Sequence, residues 1–90
     1  MNADKKMESN RVNILFFATL RDYVGHRSLE LEIPVGTTLQ GVIDILIETY
    51  PRLEIVRNSM MTAINREYVA DEEIIPENAE IAFFPPVSGG

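Results

Sequence analysis

The chain contains no cysteine. That excludes disulfides, thiolate metal centres and cysteine nucleophiles, so any sulfur chemistry must run through something other than a side-chain thiol. Positive charge is also scarce: eight Lys and Arg stand against fourteen Asp and Glu, a formal net charge of -6. Nucleic-acid binders generally carry a basic patch, and this balance argues against one. It suits solubility, or docking onto basic partners. Long apolar runs are missing as well. No stretch approaches the ~20 residues of a membrane span, and residues 1–10, "MNADKKMESN", lack the apolar core of a signal peptide. The expectation is a cytoplasmic protein with no membrane or nucleic-acid partner, opening with a flexible extension over residues 1–10.

Motifs for self-contained catalysis are absent too. There is no glycine-rich phosphate loop and no cluster with metal-ligand spacing. The single histidine, His26, falls in an expected loop without an acid or nucleophile near it in sequence, and reads as a surface residue. Asp71, Glu72 and Glu73 match no calcium loop and read as a solvated turn. No metal site is expected, and any chemistry must sit at the end of the chain.

What is present is one small domain. Ninety residues, 46% of them apolar, can bury a single modest core and no second one. "RVNILFFATL" (Arg11 to Leu20) is β-branched and aromatic, with Val12, Ile14, Phe16 and Ala18 on one parity and Leu15 and Phe17 on the other. "SLELEIP" alternates Leu29, Leu31 and Ile33 against Glu30 and Glu32 until Pro34 and Gly36 break it. The two form a hairpin through the loop around "RDYVGHR", where Gly25 can take a positive φ. A helix follows, opened by Thr37 and Gln40 in capping-box spacing, with Leu39, Val42, Ile43, Leu46, Ile47 and Tyr50 at steps of three and four, and closed by Pro51. After a polar loop, "MMTAIN", "REYV" and "AEIAFF" read as strands.

The last eight residues, "FFPPVSGG", are built in three physically different segments. Phe83 and Phe84 are neighbours in a strand and must point to opposite faces, while one helix can cover only one face of the sheet. If Ile14, Phe16 and Ala18 face the helix with Phe83, then Phe17 and Phe84 lie outside together, and Tyr68 extends the patch. Pro85 and Pro86 cannot donate backbone hydrogen bonds, so strand pairing stops and the chain leaves as a semi-rigid spacer. From Pro85 to Gly90 it reaches at most about 20 Å. Gly89 and Gly90 have no Cβ and can thread a narrow channel. The reactive group at such an end is the carboxylate itself, a poor electrophile when ionised, which needs activation elsewhere, for example as an acyl-adenylate.

The strand order, the "FFATLRD" segment and above all "FFPPVSGG" resemble the ubiquitin-like sulfur carriers, among them the small subunits of molybdopterin synthase, over residues 11–90. The resemblance implies an α+β, ubiquitin-like β-grasp domain over residues 11–84, with a mixed sheet of about four to five strands, the first and last parallel at its centre, and one main helix across one face. Residues 85–90 become its extended tail. It implies that an adenylyltransferase related to ubiquitin-activating enzymes, using ATP and Mg, adenylates Gly90, and that a sulfur donor converts it to a thiocarboxylate. That group then donates sulfur to a pyranopterin precursor in the large subunit of molybdopterin synthase. Gly90 would carry the sulfur and Gly89 give clearance. Arg21, Phe17, Tyr68, Phe84, Pro85, Pro86, Val87 and Ser88 would contact the partner, and the catalytic acids and bases would belong to that partner. No cofactor would be bound by this chain. Two alternatives share the fold: a ubiquitin-like modifier conjugated through Gly90 to lysines, and a sulfur carrier for another pathway such as thiamine.

Overall fold

The computed structural model describes residues 8–86. Strand β1 (Ser9–Phe16) alternates strictly, with Asn10, Val12, Ile14 and Phe16 buried. It begins ahead of the expected boundary at residue 11, because Asn10 does structural work. Its Nδ2 donates to the Pro76 carbonyl (2.9 Å) and its Oδ1 accepts from the Asn78 N–H (2.7 Å), so a buried amide is satisfied and β1 is tied to the loop that leads into the last strand.

The first strand ends at Phe16, four residues short of the expected Leu20. Ala18 adopts a left-handed conformation (φ 54°) that breaks the alternation, and it is exposed, so its expected place on the inward face is corrected. Leu20 and Val24, spaced four apart, instead fold one short helix, α1 (Leu20–Val24), that buries both. Gly25 caps it at φ 81°, its N–H reaching the Arg21 carbonyl. Strand β2 (Ser28–Pro34) returns antiparallel, setting Val12 against Leu31 and Ile14 against Leu29.

Helix α2 (Leu39–Thr49) is capped by Thr38, one residue later than expected. The Thr38 Oγ1 accepts from the Gly41 N–H (3.2 Å), whereas the Thr37 hydroxyl donates to the Pro34 carbonyl (2.6 Å) and Gln40 bonds Asp44. Thr37 is thus occupied closing the preceding turn. Leu39, Val42, Ile43 and Leu46 are buried on the inner stripe. Past Tyr50 the chain forms a 3-10 turn, Pro51–Val56, where a polar loop was expected; Pro51 supplies the first φ and Leu53 is buried.

Arg57, just beyond that turn, pairs with Asp44 on α2 and with Glu54. The hydrogen bond from Arg57 holds the Asp44 carboxyl below its ordinary range. A depressed carboxylate adds stability above its unfolded value and loses it as pH falls through the folded one. Asp44→Asn is therefore expected to melt slightly below the wild type at neutral pH, with the gap closing below the ordinary carboxylate range. Parallel melting curves from pH 7 to pH 2 test this; a gap that persists in acid is the contrary result.

Strands β3 (Met61–Ile64) and β4 (Glu67–Tyr68) form a hairpin, and β5 (Glu80–Phe84) completes the sheet. The order is β2-β1-β5-β3-β4, with β5 parallel to β1 and antiparallel to β3. This is the β-grasp arrangement: the first and last strands meet in the middle, and α2 covers one face. Phe16 and Phe83 are both fully buried there, ring centroids 6.0 Å apart. Among the described residues no helix is long and apolar enough to cross a membrane.

Candidate functional site on the open sheet face

Among the described residues no helix lies over the opposite face of the sheet. Its middle is shallow because of which residues the register brings together. Leu15 on β1 lies opposite Ala82 on β5, Ala82 opposite Ala63 on β3, and Ala63 opposite Tyr68 on β4. Two alanines on the neighbouring strands β5 and β3, between Leu15 on β1 and Tyr68 on β4, leave a depression of about 410 Å³. Phe17 and Phe84 bound it on one side, and Arg66 and Glu80 also line it.

The aromatic pair is built by continuing the parallel ladder one residue past β1. The Phe17 N–H donates to the Phe83 carbonyl (3.1 Å), which brings Phe17 beside Phe84 with ring centroids 4.8 Å apart and planes within 4°. Each ring half-covers the other, and both remain partly exposed. Tyr68, 67% exposed, lies 6.2 Å from Phe84 at a tilt of 59°. Arg21 comes from α1: its Nε donates to the Phe16 carbonyl (3.1 Å) and its guanidinium lies 5.9 Å from the Phe17 ring centre. The short helix missed in the sequence is what carries this cation to the aromatic pair.

Strand pairing stops after Phe84 opposite Met61, and Pro85 and Pro86 lead away from the edge of the Phe17–Phe84 pair. Phe17, Phe84, Tyr68, Arg21 and Pro85 therefore share one end of one face. Val87, Ser88, Gly89 and Gly90 lie outside the described residues. His26 is exposed, with its ring 6.2 Å from Tyr50, and does not line the groove. Asp71, Glu72 and Glu73 are exposed in a turn, and among the described residues no group of three or more acidic or histidine side chains is placed to hold a metal ion.

Ala63, Ala82, Glu80 and Arg66 escaped the sequence reading. The alanines carry no chemical signal of their own, and matter only through register. For Arg66 a signal existed: "NR" stands between two short strands, where a two-residue turn favours Asn-Gly.

The ThiS family model matches residues 14–90, from the middle of β1 to the end of the chain. The molybdopterin synthase sulfur carrier subunit of Arabidopsis thaliana is 39% identical over 82 residues, spanning 91% of this chain and 85% of that protein. The protein of the same name from Aedes aegypti is 40% identical over 88 residues, 89% of each chain. Among solved structures, the small archaeal modifier protein 1 of Methanosarcina acetivorans superposes with a TM-score of 0.78 at 26% identity, covering 92% of this chain and 99% of that one. The match of family model, fold and ending places this chain in the ThiS family.

Proposed function

We propose that this chain is a sulfur carrier for molybdopterin synthesis: the small subunit of a two-subunit sulfurtransferase, with no catalytic side chains of its own. The observation that carries the reading is the central strand β5, which ends beside an exposed aromatic groove and runs directly into Pro85 and Pro86. The chain thereby leaves the sheet from a strand paired on both sides, next to a surface suited to a partner protein. The names and 39–40% identity of the Arabidopsis and Aedes relatives support the same role.

The chemistry assigned to the tail balances as follows. The Gly90 carboxylate attacks the α-phosphorus of ATP, held by an adenylyltransferase with Mg, and pyrophosphate leaves. A donor that delivers sulfur at the sulfide level then attacks the acyl carbon, AMP leaves, and a thiocarboxylate results. In the large synthase subunit the thiocarboxylate sulfur attacks a carbon of the pterin precursor, an oxygen leaving group departs from that carbon, and water hydrolyses the resulting thioester, which returns the carboxylate. Pro85 to Ser88 span the entrance of each partner's site, Gly89 keeps the last peptide narrow, and Phe17, Phe84, Tyr68 and Arg21 hold the docked face.

Intact-mass analysis of the protein from its native host tests the proposal. A fraction heavier by one oxygen-to-sulfur exchange, mapped to Gly90, is the expected result. Carboxylate alone, even with the cognate activating enzyme, ATP and a sulfur donor supplied, overturns it. The likeness to an archaeal modifier protein favours a second reading, conjugation through Gly90 to lysines. Lysine-linked Gly-Gly remnants in digests of whole cells are its signature.

A further inference from the structure

The β3–β4 hairpin turns on two residues, Asn65 (φ 50°) and Arg66 (φ 74°), both left-handed as a two-residue turn of this twist requires. Asn65 is suited to the position and is compensated: its N–H donates to the Glu80 carbonyl (2.9 Å) and its Oδ1 accepts from the Glu80 N–H (3.0 Å). Among the described residues Arg66 has no such support. Its Cβ is strained at this φ, where glycine is free, and backbone strain of this kind collects where a side chain has a use. The side chain lines the apolar groove on the open face. Among the described residues the ion pairs are Arg11 with Glu30 and Arg57 with Asp44 and Glu54, and Arg66 enters none of them.

We infer that Arg66 is a specificity residue of the docking face, kept at a strained turn so that its guanidinium meets a carboxylate on the large synthase subunit that seats an apolar side chain in the groove. Charge pattern argues for this occupant. On a chain of net charge -6 the groove is lined by Arg66 and Glu80, and Arg21 lies over the Phe17 ring that bounds it, two cations to one carboxylate. The complementary surface is an apolar residue flanked by acidic ones. The inference rests on the sulfur-carrier reading for the identity of that partner.

The test is Arg66→Gly and Arg66→Lys in the full chain with a carboxylate tail, titrated with the large subunit at several salt concentrations and melted alone. Arg66→Gly is expected to raise the unfolding midpoint by about 4–8 °C. It is also expected to weaken binding about tenfold and flatten its salt dependence, with Arg66→Lys intermediate in affinity. A variant that is more stable but less able to bind is the signature, since a purely structural arginine would not move affinity. Unchanged affinity for Arg66→Gly overturns the inference, as does a lowered midpoint, which would remove the strain. Self-association of the wild type that Arg66→Gly abolishes assigns the groove to a second copy of this chain and also overturns it. If the wild type forms thiocarboxylate yet does not bind the large subunit, the docking inference fails and the carrier reading stands. If Arg66 governs binding and no thiocarboxylate forms, the reverse holds.

Discussion

Phe16→Ala is expected to destabilise the domain by about 3–5 kcal/mol, a large share of the 5–15 kcal/mol typical of a native protein. The ring is fully buried under α2, packed on Phe83, and its removal leaves a cavity that the close-packed core cannot collapse into cheaply. Phe17→Ala and Phe84→Ala should behave differently. Those rings cover one another on the open face and are partly exposed already, so their truncation forfeits less burial. What they should lose is affinity for the large subunit, by roughly 2 kcal/mol or more if they anchor the interface. Calorimetry of the three variants, alone and titrated with the partner, separates the roles. Equal unfolding losses for Phe16 and Phe84 with unchanged affinity would sink the assignment.

Gly90→Ala, or a single residue appended after Gly90, should reduce sulfur transfer about 100-fold while leaving the melting curve where it was. The reason is positional: a Cβ or an extra peptide displaces the reacting carbon inside a site built for a bare chain end, and small misplacements of reacting atoms can lower rates by that order. Core residues such as Phe83 and Ile81 lie upstream of the two prolines, so the fold has no stake in the change. Thiocarboxylate formation and molybdopterin synthesis, assayed with purified partners, give the answer. Full activity in a C-terminally tagged protein whose tag is shown to be intact would contradict it.

The parts of this molecule that were legible in the sequence are those in which one physical rule acts alone. Parity separated Phe16 and Phe83 from Phe17 and Phe84, because adjacent residues of a strand cannot share a face, and both pairs stack as parity requires. Periodicity found α2 because apolar positions recur at steps of three and four, and four of them, Leu39, Val42, Ile43 and Leu46, are buried on its inner stripe. Where two local options competed, the reading slipped. Thr37 and Thr38 can each cap a helix, and the choice was made by the Pro34 carbonyl, which engages Thr37. The β-rich run from Arg11 to Leu20 concealed the left-handed Ala18, and with it the start of α1. Asn10 looked like part of a polar extension because its partners, at Pro76 and Asn78, are distant in sequence. The groove was invisible for the same reason, since Ala82 and Ala63 mean nothing until the strands are aligned.

The strand made last in this chain is the strand in the middle of its sheet. Until β5 slides between β1 and β3, Phe84 has no Phe17 to stack on and Ala82 has no Ala63 beside it, so there is no groove. A copy in which β5 has not yet paired can therefore carry its tail without offering the surface next to it. Any enzyme that must grip that surface before it touches the tail therefore engages only a chain whose last strand has closed upon its first.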